Sequence, residues 1–252
     1  MTKWLKSYLK IRKIFFYDIS LKYRKEYKIN IHDWTLNPYY VLKYKFICET
    51  ASIVSYLIFK TKITPNFITF INLLLALTAM IIFVINNEQL KFFGIFIFFS
   101  KQVLDNTDGF IARKKKLVSK SGEKLDKICG HIYYYSILIS LFAHNFYLSK
   151  DITILILGGL IILLDLTSNF NKKNQKILKK NKNSFVSRNY NFFKLFNFDG
   201  RTLKTDFVLL IILIELYFNF NYISSFLTYL FLVNKFMRNL YRLIFSFYAN
   251  NK

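Results

Sequence analysis

The sequence predicts an all-α, polytopic membrane protein with six transmembrane helices and an N-terminal interfacial amphipathic helix. Three observations lead there. Hydrophobic residues make up 54% of the 252 and aromatic residues 19%, more than an ordinary soluble domain carries. Seven Gly and two Pro are too few for the many turns of an all-β protein. Apolar stretches of about 20 residues, the length that crosses a bilayer as a helix, recur between Lys- and Asn-rich segments.

The first element is a basic extension, residues 1–39, which lacks the apolar core and small-residue cleavage site of a signal peptide. Residues 40–252 form the membrane domain. It opens on residues 40–59, "YVLKYKFICETASIVSYLIF", which mix apolar and charged positions and fit a helix lying along the cytoplasmic interface. Asn66 to Ile85 is the clearest span, and Pro65 before it suits the first turn of a helix. Further spans follow at about Phe92 to Ile111, about Asp126 to Tyr147, Ile152 to Thr167, Asp206 to Phe220 and Tyr222 to about Tyr248. Only "NFNY" separates the last two, which therefore read as a hairpin.

Charge orients these spans. Residues 1–45 hold 11 Lys plus Arg, residues 112–127 hold seven and residues 171–204 hold ten, whereas 86–91, 145–151 and 219–223 together contribute Lys91 and Lys150. The positive-inside rule places both termini on the cytoplasmic side of the cytoplasmic membrane. A net charge of +23 is thereby explained by topology and anionic lipid headgroups, and no nucleic-acid partner is expected. Polar residues gather at one membrane face rather than along a full crossing path, which argues against a channel or carrier. Cys48 and Cys129 fall among apolar residues and read as small buried hydrophobes, not a disulfide.

One segment departs from this composition. The chain has 14 Asp plus Glu, yet Asp105, Asp108, Glu123 and Asp126 lie within 22 positions. Asp105 and Asp108 are three apart and share a helix face, with Ala112 and Arg113 one turn further on. Asp126 opens the next span at the same membrane face. Ionisable groups in such helices point to function, and three converging carboxylates suit a hard divalent cation, Mg²⁺ or Mn²⁺, of the kind that also holds substrate phosphates. The alternative is that these acids only pair with Lys114 to Lys116 at a wet helix end.

Asp105-x2-Asp108-Gly109-x2-Ala112-Arg113-x8-Gly122-x3-Asp126 resembles the signature D-x2-D-G-x2-A-R-x8-G-x3-D-x3-D of the CDP-alcohol phosphatidyltransferase family, matching every fixed position but the last. The upstream "KITPNFITFINLLLAL" is similar to the segment opening that family's first membrane helix. The resemblance covers residues from about 40 to 245 and implies a six-helix fold and a homodimer. It also implies transfer of a phospho-alcohol from a CDP-linked donor, such as CDP-diacylglycerol, to an acceptor hydroxyl, with release of CMP. Asp105, Asp108 and Asp126 would ligate one or two Mg²⁺ or Mn²⁺. Gly109, Ala112, Arg113 and Gly122 would line the nucleotide pocket, where small residues admit the diphosphate and Arg offers a planar fork of donors. Asn66 is either a further pocket residue or a helix cap.

The last position departs from the signature. Gly130 stands where the family has the Asp thought to complete the second metal site and to take the acceptor's proton. His131 is adjacent and has suitable chemistry, but one residue along a helix is about 100° of rotation. Asp165, near the cytoplasmic end of the fourth span, is the other candidate for a catalytic group; packing for His131 and capping for Asp165 are the alternatives. Arg188 and Arg201, before the fifth span, are candidates for a phosphate on donor or acceptor, or plain loop charges. Glu215 lies inside the fifth span and pairs with a buried donor or lines the cavity. His32 and His144 suggest no metal site, and the Lys- and Asn-rich loop 171–183 suggests mobility. Gly130 also motivates a second reading: a relative that binds nucleotide or lipid without turning it over.

Overall fold

The computed structural model describes residues 3–27, 38–170, 201–218, 223–230 and 233. Its regular elements are all helices: α1 (Lys3–Tyr27), α2 (Pro38–Phe59), α3 (Pro65–Ile85), α4 (Glu88–Lys114), α5 (Lys120–Ser149), α6 (Thr153–Phe170), α7 (Arg201–Phe218) and α8 (223–230). The all-α expectation holds among the described residues.

Local sequence sets the helix ends. Thr64 caps α3, accepting from the Phe67 amide at its Oγ1 (3.4 Å), and Pro65 takes the first helical position, where no amide hydrogen is needed. Asn87 Oδ1 caps α4 through the Leu90 amide (3.1 Å). Asp151 caps α6 through the Thr153 amide (2.9 Å). α3 and α5 end against Asn86 and Lys150, both at positive φ (61° and 59°). That left-handed conformation closes a helix C-terminus and is easier for Asn than for Lys.

The expected spans coincide with α3, α4, α5, α6 and α7 to within a few residues at most ends. Beyond α8, the sixth lies outside the described residues, as do His32 and the loop 171–183. By length and composition one described helix, α3, is long and apolar enough to cross a membrane, with a shorter apolar stretch at Thr153–Leu163 in α6. Charged residues dilute α4, which carries Lys91 at one end and Lys101 to Lys114 at the other. Phe67, Phe70, Leu74 and Ile81 are exposed along α3, as are Ile156, Leu160 and Leu163 on α6. Their spacing makes an exposed apolar stripe along each helix.

The described residues form two compact units, the first from residues 1–78 and 96–133, the second from 79–95 and 134–252. The basic extension, read from sequence as a flanking segment, contributes α1 to the first unit. Tyr8, Ile11, Phe15 and Ile19 recur at helical spacing, and α1 packs on α2. Its Phe15 and Ile19 join Tyr44, Cys48, Ala51, Ile68, Phe110 and Ile111 in a buried cluster. Phe15 and Phe110 meet with their rings tilted by 51° and their centroids 4.8 Å apart, a contact worth about 1 kcal/mol beyond the area it buries. Arg12 Nε donates to Glu49 Oε2 at 2.7 Å across α1 and α2. This bond to Arg12 holds the Glu49 carboxyl below the ordinary carboxylate range. Cys48 and Cys129 are both buried and free.

In the second unit, Gly158 permits a close approach: a Cβ there would stand 2.5 Å from the Phe142 ring. Buried polar groups answer one another nearby. Glu215 Oε1 accepts from the Ser224 amide (2.6 Å), and its Oε2 lies 3.3 Å from His144 Nε2, close enough for an ion pair but without hydrogen-bond geometry. His144 Nδ1 is 3.5 Å from Lys91 Nζ, and Asn145 donates to the Ser224 carbonyl (3.0 Å). Glu215 therefore pairs with buried donors, one of the two roles its sequence position left open. His144 has polar partners that the sequence did not reveal.

Candidate functional site

The acidic residues of the motif sit at the last turns of α4 and the first of α5. Leu117 N donates to Ala112 O (2.8 Å) and Lys116 N to Arg113 O (3.3 Å), the paired bonds of a Schellman end with Lys116 at positive φ (57°). α4 thus stops just past Arg113. Ser119 then caps α5, its Oγ accepting from the Gly122 amide (3.1 Å). The eight-residue gap of the motif is this stop, a short link and a new cap, and it brings both acidic stretches to the same turn of chain.

Asp108 is buried at 7% exposure. Its Oδ2 accepts from Thr69 Oγ1 of α3 at 2.6 Å. Asp105 Oδ1 accepts from Lys101 Nζ at 2.7 Å, one turn back on α4, and that ammonium also lies 5.1 Å from the Tyr133 ring centroid. The charges of Asp105 and Asp126 both act on Asp108. Asp105 and Asp126 thus both lie within electrostatic range of Asp108, a repulsion that a bound cation would relieve. Their hard oxygen donors suit Mg²⁺ or Mn²⁺ in kind. Among the described residues, no three His, Cys, Asp or Glu side chains draw together closely enough to hold a metal ion; Lys101 engages Asp105 and Thr69 engages Asp108.

Arg113 reaches back over Gly109: a Cβ on Gly109 would stand 3.2 Å from Arg113 Nη1. Its Nε donates to Asp18 Oδ2 of α1 at 2.9 Å. Ala112 is half-buried beside it. Gly122 faces Asn66, whose Oδ1 would lie 2.9 Å from a Cβ at that position, so any larger residue displaces Asn66. Thr64 supplies the α3 cap, which leaves Asn66 beside the motif rather than capping its helix.

Gly130 has open space, with nothing within 4 Å of a Cβ built on it. His131 is next on α5, half-buried and engaged in a contact of its own. Asp165 lies in α6 and Arg201 opens α7, both with side chains outside the described residues, and Arg188 lies outside them altogether. Sequence reasoning missed three groups. Thr69 and Lys101 were within its reach, one four residues past Pro65 and one four before Asp105. Asp18 was not, being 95 positions from the arginine it binds.

Residues 62–243, most of the chain, match the model of the CDP-alcohol phosphatidyltransferase family. Among curated proteins, the CDP-diacylglycerol--glycerol-3-phosphate 3-phosphatidyltransferases of Rickettsia typhi and Rickettsia prowazekii are each 31% identical over 68 residues. That stretch is 27% of this chain and 38% of each relative. The similarity thus spans well under half the length of those relatives.

Proposed function

The chain belongs to the CDP-alcohol phosphatidyltransferase family, and we propose that it transfers a phospho-alcohol group from a CDP-linked donor to an acceptor hydroxyl, releasing CMP. The observation that carries this reading is the match of residues 62–243 to the family model, supported by the placement of Asp105, Asp108 and Arg113 towards the end of α4 and of Asp126 near the start of α5. The family is membrane-integral and generally dependent on a divalent metal. We infer six crossings by residues 40–252, with the site and both termini facing the cytoplasm, and a homodimeric assembly.

The chain's own residues divide the task. Arg113 directs charge-assisted donors at diphosphate oxygens, and Gly109 and Gly122 leave room for the nucleotide to approach the helices. Asp105, Asp108 and Asp126 would hold Mg²⁺ or Mn²⁺, with Lys101 giving up Asp105 as they do. The metal, when bound, neutralises charge on the diphosphate. The acceptor oxygen forms its bond to the donor phosphorus as the bond to the CMP oxygen breaks. The acceptor's proton needs a base, which Gly130 cannot supply; His131 and Asp165 are the candidates. Arg188 and Arg201 would hold a phosphate of the acceptor or donor.

The names of the two Rickettsia relatives make CDP-diacylglycerol the first donor to try. The test is CMP release by the detergent-purified chain from CDP-diacylglycerol with a panel of hydroxyl acceptors, with Mn²⁺ or with EDTA. Release in Mn²⁺ alone supports the reading. Gly130, standing where the signature has its last Asp, motivates a second one, a nucleotide- or lipid-binding relative without turnover. Donor binding without release in the native chain, and release from Gly130→Asp, would decide for it.

A further inference from the structure

The family match begins at residue 62, yet the motif arginine is held from outside it. Asp18 Oδ2 takes a hydrogen bond from Arg113 Nε at 2.9 Å and lies 2.8 Å from Nη2. One edge of the guanidinium is thus tied to α1, while Nη1 sits over Gly109.

This contact is not a generic attraction between helices. α1 carries eight Lys or Arg against Asp18 and Glu26, so its overall charge repels Arg113. The helix is also braced where the contact forms. Phe15 and Ile19, at 0% and 1% exposure, anchor it on either side of Asp18. The Tyr44 hydroxyl of α2 donates to the Phe16 carbonyl at 3.0 Å.

We propose that Asp18 is a positioning residue. It fixes the guanidinium of Arg113 so that the remaining donors face a nucleotide diphosphate over Gly109, making the N-terminal helix part of the nucleotide site. The inference rests on the transferase reading. An arginine binds phosphate through a planar fork, and its value depends on that plane being set before the ligand arrives. A carboxylate on the far edge sets it, as outer partners orient the ligands of a metal.

The test measures CDP affinity by calorimetry on the full chain in detergent, together with donor KM and kcat. Asp18→Asn keeps the shape of the side chain and removes its charge. Because the pair is partly exposed, at 40% and 21% for the two side chains, CDP binding should weaken about fivefold. KM should rise by the same factor and kcat change less, while Asp18→Glu recovers most of the loss. In an Arg113→Lys background Asp18→Asn should cost nothing more. An equal loss in that background would reduce Asp18 to a structural role and overturn the inference. So would unchanged CDP affinity in Asp18→Asn, or a tighter one, which would make Asp18 a competitor of phosphate. A native chain that binds no CDP would sink the transferase reading itself, and this inference with it.

Discussion

Thr69→Val removes the hydroxyl bonded to Asp108 with little change of side-chain volume. The bond is 2.6 Å long, within the range of a hydroxyl on a carboxylate, and Thr69 and Asp108 are 6% and 7% exposed. Water cannot easily replace the lost partner. Leaving a buried acceptor without its partner costs about 1–3 kcal/mol, and we take about 2. For a chain of this size that lowers Tm by about 4–8 °C. Thr69→Ser is the control: it keeps the hydroxyl and loses one methyl group, worth about 0.8 kcal/mol if fully buried. The assay is thermal unfolding in detergent, with CMP release measured on the same preparations. Valine should be the more damaging on both scales. Equal Tm values for the two variants, or a lower one for serine, would refute the reasoning that the bond to Asp108 matters more than the packing of Thr69.

Gly130→Asp should fold as well as the native chain, because nothing lies within 4 Å of the new Cβ, and CMP release should rise; a fall in Tm of several degrees would show that the space is not there. The acid limb of stability should bear the mark of Glu49, whose pKa is depressed by Arg12. Its contribution is present above the ordinary carboxylate value of about 4.3 and is lost as pH falls through the depressed native value. Native and Glu49→Gln chains should therefore differ in urea midpoint near neutrality and converge in acid; a constant gap at all pH values would contradict the sign. In the second unit, Glu215→Ala strands the Ser224 amide and should cost about 2 kcal/mol. Glu215→Gln, which keeps an acceptor for it, should cost less, and thermal unfolding that ranks them the other way would sink that account.

Much of this was legible in the sequence because it is local. The apolar run behind Pro65 gave α3, and the motif spacing placed Asp105, Asp108 and Arg113 at one helix end and Asp126 near the start of the next. Caps such as Thr64 and Ser119 are short-range chemistry of the same kind. The Asp18 contact was not legible, since a lone acid in a basic helix has no spacing rule linking it to Arg113. The helical stripe Tyr8, Ile11, Phe15 and Ile19 is open to reading, but the dense Lys and Arg around it give the segment the composition of a solvated basic helix. Asn66 left two roles open, and the cap turned out to be Thr64. His144 and Glu215 lie on separate helices, and only tertiary packing reveals that they meet.

The central claim is that the native chain turns over through its three acids although Gly130 replaces the fourth. The most direct measurement is phosphorus-31 NMR of native and Asp126→Ala proteins in Mn²⁺-loaded micelles with CDP-diacylglycerol and the acceptor panel, quenched with EDTA before observation. The account predicts CMP and a new phosphodiester appearing together in equal amounts with the native chain and neither with Asp126→Ala. CMP and phosphodiester formed equally by both proteins, or by neither, would contradict it.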